Sequence, residues 1–123
     1  MAFLNAMGAV SRHGQWRLQR VLRSILPDGR VDASDAGLID FSAASEILLQ
    51  VVPRQPRGNH DPHPVLAASA VAGTLVVSNP GVVEALFPLG WSAHVPAGVY
   101  DVRIWMTVGP ETALIFDNPV ELR

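Results

Sequence analysis

The chain has 123 residues, of which 49% are hydrophobic and 16% charged, with a formal net charge of −2 and no cysteine. That length supports one domain with a real core. The missing cysteines exclude a disulfide framework, a thiolate metal site and a cysteine nucleophile, and the slightly acidic balance argues against a nucleic-acid surface built on bulk charge. The charged fraction falls below the roughly 25% of ordinary soluble domains, so some apolar surface is expected to be covered by a partner. No apolar run approaches the roughly 18 residues of a membrane span. Residues 1–10 lack a basic region followed by a continuous apolar one, so we expect synthesis in the cytoplasm without a cleaved signal, and no membrane partner.

Taken in order, residues 1–14 read as a short arm or helix ahead of a domain at 15–123. Phe3, Leu4, Met7 and Val10 fall at helical spacing, but Gly8 and the short length make an isolated helix marginal. An arm that docks on a neighbour is the expectation. Residues 15–25 satisfy two periods: Leu18, Val21, Leu22 and Ile25 make a helical stripe, whereas Trp16, Leu18 and Leu22 share a strand face that also includes Arg20. Periodicity leaves helix or strand open there. Arg12, Arg17, Arg20, Arg23 and Arg30 make this the only locally basic third of the chain, which contains no lysine.

Pro27-Asp28-Gly29 is a turn signal. Residues 42–52 form the next apolar run, in which Ile47, Leu49 and Val51 share one face while Leu48 and Val52 make the other face apolar too. Such a strand is expected to be covered on both sides. Residues 53–64 hold four of the ten prolines and read as a loop. Short strands are expected at 65–71 and 74–78 around Gly73, a strand or a helical turn at 82–87, and a short strand at 91–95. The strongest strand is 98–108: Tyr100, Val102, Ile104, Met106 and Val108 lie on one face, and Asp101, Arg103, Trp105 and Thr107 on the other. Beyond Gly109-Pro110 the even parity resumes at Thr112, Leu114, Phe116, Val120 and Leu122, which predicts a hairpin with coinciding apolar faces and no slip. About seven short strands separated by turn signals predict an all-β, immunoglobulin-like antiparallel β-sandwich.

Chemistry-bearing sets are sparse. Gly58-Asn59-His60-Asp61 matches one element of the calcineurin-like metallophosphoesterases, but the Asp-x-His, Gly-Asp and His-x-His partners of a two-metal site are missing. His60, Asp61 and His63 have suitable ligand chemistry, yet a solvated loop explains them more simply, and no metal or cofactor is expected. A triad built from a serine, His94 and Asp101 has no nucleophile elbow to support it, and no catalytic residue is assigned. Trp105 and Arg103 occupy the outward face of the strongest strand, so they lead the interface candidates, joined by Phe3, Leu4, Met7 and Trp16.

The run Trp16, Pro27-Asp28-Gly29, Ile39-Asp40-Phe41-Ser42-Ala43-Ala44-Ser45-Glu46-Ile47, Leu49-Gln50-Val51, Gly98-Val99-Tyr100-Asp101-Val102-Arg103-Ile104 and Leu114-Ile115-Phe116-Asp117-Asn118-Pro119-Val120-Glu121-Leu122 resembles small Ig-like β-sandwich structural proteins of tailed bacteriophages. The likeness runs from about Gln15 to Arg123. It departs at Pro53, where a basic residue is usual, and in the long proline-rich loop; residues 1–15 have no counterpart. The resemblance implies a virion component made in the host cytoplasm: a tail, baseplate or fibre attachment module, or a head fibre or decoration element. Its partners would be other virion proteins and further copies of itself, with no enzyme activity and no nucleic acid. The alternative from another class is a carbohydrate- or receptor-binding β-sandwich using Trp91, Trp105 and the 53–64 loop.

Overall fold

The computed structural model describes residues 9–54 and 63–123. Phe3, Leu4, Met7 and the Gly58-Asn59-His60-Asp61 element therefore lie outside the described residues. Among the described residues, eight strands follow in order: β1 (Ala9–Val10), β2 (Trp16–Val21), β3 (Glu46–Pro53), β4 (Leu66–Ser69), β5 (Leu75–Ser78), β6 (Val82–Phe87), β7 (Gly98–Val108) and β8 (Glu111–Leu122), with a 3₁₀ turn at Asp35–Gly37. They form a five-stranded sheet in the order β1-β8-β7-β3-β4 and a three-stranded sheet in the order β2-β6-β5. The protein is an all-β, two-sheet β-sandwich.

The inward faces follow the period of two. Ile47, Leu49 and Val51 of β3, Tyr100, Val102 and Ile104 of β7, and Val120 and Leu122 of β8 are buried from one sheet. Trp16 and Leu18 of β2, Leu75 of β5, and Val83, Ala85 and Phe87 of β6 close on them from the other. Residues 16–21 are a strand because that period, unlike the helical one, has an edge to pair with: Trp16 lies opposite Phe87 and Val21 opposite Val82. Arg20 shares the inward parity and reaches the rim, where its guanidinium lies 5.4 Å from the centre of the Phe116 ring on the opposite sheet.

The β7–β8 hairpin turns at Gly109, whose φ of 58° suits the first central position of a type II′ turn, with Pro110 in the second. The expected parity does not run through it unbroken. Ile104 pairs with Phe116 but Trp105 pairs with Leu114, so Ile115 is one extra residue in β8. That bulge carries Thr112 and Leu114 to the outer face, opposite Thr107 and Trp105, while Phe116, Val120 and Leu122 keep to the inner one. The strand expected at 91–95 is also absent. Successive turns replace it, with amide-to-carbonyl bonds from Trp91 to Pro88, Ala93 to Gly90 and Val95 to Ser92.

Two polar clasps fix the connections. Asp40 accepts bonds from the amide and hydroxyl of Ser42 and from Asn79 Nδ2, while Asn79 Oδ1 accepts the Phe41 amide at 2.9 Å. The stretch before β3 is thereby tied to the β5–β6 turn. Gly81 closes that turn with a φ of 81°, and a Cβ there would stand 3.0 Å from Leu38 and 3.1 Å from the Leu22 carbonyl. The second clasp holds the crossing from β4 in one sheet to β5 in the other. Glu46 Oε2 accepts the Ser69 hydroxyl at 2.7 Å, and Oε1 accepts the amides of Ile47 and Val71.

The Ser69 hydroxyl, opposed by some desolvation and helped by the amides of Val71, Ile47 and Ala70, holds the Glu46 carboxyl below the usual glutamate value of 4.5. A folded pKa below the unfolded one contributes stability above the unfolded value and loses it as pH falls through the folded value. Urea unfolding of Glu46→Gln should therefore show a deficit of about 1 kcal/mol at neutral pH, the usual worth of such a bond. The gap to the native chain should narrow as pH drops below 4.5. A deficit of the same size at low pH would assign it to packing instead.

Candidate functional site

The outer face of the five-stranded sheet is where the strongest sequence signal and an unusual surface coincide. Register places its residues in rows across β3, β7 and β8, because residues directly opposite each other share a face. Leu48, Trp105 and Leu114 form one row, and Gln50, Arg103 and Asp117 the next. Val52, Asp101 and Pro119 form a third. Leu48 and Trp105 are half-buried, and Leu114 is 41% exposed. An apolar row thus crosses three strands beside a charged one.

The polar groups of this face are held in place. The Trp105 indole N–H donates to Gln50 Oε1 at 3.1 Å, which fixes the ring against β3. Arg103 Nε stands 3.7 Å from Asp117 Oδ1 and, although buried, makes no hydrogen bond. Arg54 Nη2 donates to Asp101 Oδ1 at 3.0 Å. Asp101 is only 9% exposed, and its neighbour Val52 only 2%. The alternation pattern put Asp101 on the outward side, which is correct, but gave no sign that the position is covered. On β3 itself, Val52 is the buried outer residue while Leu48 and Gln50 are half-buried, so the cover expected on both sides of the 42–52 run is complete on the inner side alone.

The remaining sequence candidates separate. Trp16 is 6% exposed and sits in the core, its ring 5.4 Å from those of both Phe87 and Trp91. It is not at the surface: as the first inward residue of β2 it fills the end of the sandwich. Trp91 belongs to the same cluster and donates its indole N–H to the Gly14 carbonyl at 2.7 Å. Trp91 and Trp105 therefore do not form a shared aromatic platform. Tyr100 is buried and donates its hydroxyl to the Pro96 carbonyl at 2.6 Å. Desolvation raises its pKa above the ordinary tyrosine value.

The basic stretch is occupied locally. Arg12 Nη1 donates to the Val95 carbonyl, Arg17 lies 3.7 Å from Glu84, and Arg23 donates to the carbonyls of Asp32 and Ser34. Arg30 pairs with Asp28 inside the predicted turn. His63 and His94 are exposed. Among the described residues, no group of three or more His, Cys, Asp or Glu is placed to hold a metal ion, and no helix is long and apolar enough to cross a membrane. No family model matches the chain, and no curated protein matches it in sequence.

Proposed function

We propose that the chain is a non-enzymatic structural component of a phage or phage-like particle: an Ig-like sandwich acting as an assembly or attachment module of the tail, baseplate or fibre, or as a head fibre or decoration element. The observation that carries the assembly role is the row Leu48-Trp105-Leu114, apolar and only partly covered, on a rigid sheet. A tryptophan fixed by its own hydrogen bond and flanked by two leucines is the kind of anchor that interfaces use.

The Ig-like reading is supported by the strand order. The β2-β6-β5 sheet corresponds to the B-E-D strands of an immunoglobulin sandwich, and β8-β7-β3-β4 to G-F-C-C′, with β1 running parallel to the last strand. Tyr100 near the start of β7, bonded back to Pro96, has the geometry of the tyrosine corner of such domains. The placement in a phage particle rests on the resemblance over 39–47, 98–104 and 114–122. Within that resemblance, Asp40-Phe41-Ser42 has a physical role as the clasp on the β5–β6 turn.

Light scattering on a sizing column tests the assembly role. A closed symmetric homo-oligomer is expected. A monomer that persists at the highest soluble concentration would count against this face as a self-assembly surface.

A further inference from the structure

The five-stranded sheet has a long edge at β8. Among the described residues, β1 covers β8 only at Glu121 and Leu122, and residues 111–118 border no strand but β7. Residues 111–114 are exposed, and neither lysine nor proline, which commonly blunt such an edge, occurs within 111–118. Ile115 and Phe116 also line a groove of about 490 Å³ shared with Val21, Ile25 and Val31.

Backbone hydrogen bonds give the directions along this edge. Arg123 donates to the Val10 carbonyl and accepts from the Arg12 amide, so it points away from β7. Alternation gives Glu121, Pro119 and Asp117 the same direction. The Thr107 carbonyl accepts the Ser45 amide on the β3 side, so Thr112, opposite Thr107, also points outward. The extra residue Ile115 thus switches the outward set from odd numbers to even ones, with Asp117 on one side and Leu114 and Thr112 on the other.

We infer that this edge pairs with β8 of a second copy, antiparallel about a two-fold axis, with Thr112 of each chain opposite Asp117 of the other and Leu114 opposite Ile115. The inference rests on the assembly role proposed above and names its partner and contact. The bulge selects the occupant. A regular strand would leave one residue of β8 unpaired, as β7 does, whereas a second β8 brings the same extra residue and restores one-to-one pairing on both sides of the bulge.

Charge selects the register. Glu111 falls opposite Asn118 and Asp117 opposite Thr112, so each carboxylate faces a side chain that can donate to it and no two carboxylates face each other. Thr112 and Asp117 share the outer face, and Ala113 and Phe116, also opposed, share the inner one. Slipping by two residues keeps the parity but sets Asp117 opposite Leu114 in one direction and opposite Pro110 in the other. In the favoured register the Leu48-Trp105-Leu114 row meets its counterpart across the axis, and the contact is isologous.

The absence of cysteine permits a direct test. Glu111→Cys with Asn118→Cys, in the full chain, places thiols at a non-hydrogen-bonded pair between copies, with Cα atoms about 4.5 Å apart, within the span of a disulfide. Within one chain the same positions stand roughly 23 Å apart along the strand. Under mild oxidation the double variant should form covalent dimers at least ten-fold faster than either single variant, because neither position faces its own copy. Single variants that cross-link as fast as the pair would overturn the proposal. Independently, Thr112→Pro removes an outward amide without touching the β7 ladder, and should weaken self-association at least ten-fold in sedimentation velocity while circular dichroism stays native. If the native chain associates and a folded Thr112→Pro associates equally well, the edge pairing falls and the assembly role stands. A native chain that stays monomeric overturns both.

Discussion

Replacing Trp16 with alanine is expected to destabilise the protein by about 3–5 kcal/mol, the range for deleting a buried aromatic side chain. The ring is 6% exposed and makes tilted contacts with Phe87 and Trp91 at 5.4 Å each, while Phe87 and Trp91 stand 6.5 Å apart. Trp16 is thus the middle member of the cluster, and its loss leaves a cavity that its two neighbours must share. The effect should extend beyond β2. Trp91 is tied to Gly14, and Ser92 Oγ donates to the Arg12 carbonyl at 2.6 Å, so the cluster also secures the segment joining β1 to β2. Urea unfolding followed by circular dichroism reads the loss as a lower midpoint at unchanged slope. Trp16→Phe should recover more than half of it. If Trp16→Ala instead unfolded like the native chain and lost only self-association, the ring would be an interface anchor and its placement in the core would be wrong.

Trp16 also shows where the sequence runs out as a guide. Its residue type and its position next to a basic stretch suit an interface as well as a core, and only the pairing of β2 with β6 decides between them. The same holds for residues 15–25 as a whole, where helical and strand periods fit nearly the same apolar residues and a tertiary partner resolves the choice. By contrast, the β7–β8 hairpin was legible because alternation over eleven residues, a Gly-Pro turn and a second alternating run agree at every level. Its one error has a physical cause. A bulge adds a residue without leaving a gap in the pattern, since Ile115 and Phe116 are both apolar and both pack against the core.

The crossing between sheets at 70–74 was legible only as a turn at Gly73. Nothing in the local pattern says that β4 and β5, which look like the two arms of one hairpin, belong to different sheets. That is determined by which neighbours can bury Ala68 and Leu75, and it is held by Glu46, a residue far away in sequence. The candidate face was legible in part. Trp105 and Arg103 were found from parity alone, whereas the covered Asp101 and the contribution of Leu114 depend on the Arg54 ion pair and on the bulge.

Trp105→Ala should weaken self-association by about thirty-fold while leaving the fold intact. An anchor residue is worth about 2 kcal/mol or more in an interface, and 1.4 kcal/mol corresponds to ten-fold in the dissociation constant. The ring lies on the outer face and is only half-buried, so its removal opens no cavity between the sheets. The stability cost should therefore stay well below that of Trp16→Ala, and the two variants separate the two roles of tryptophan in this chain. Leu48→Arg, in the same row on β3, should act in the same direction, because a charge facing a desolvated partner surface is penalised even where the free protein tolerates it. Val76→Ala is the control: this valine is 62% exposed but lies on the three-stranded sheet, and its loss should leave association unchanged. Sedimentation velocity across a dilution series measures all three variants. If Trp105→Ala and Leu48→Arg associated like the native chain while Val76→Ala did not, the assembly surface would belong to the three-stranded sheet, and the Leu48-Trp105-Leu114 row would be no more than a covered strand face.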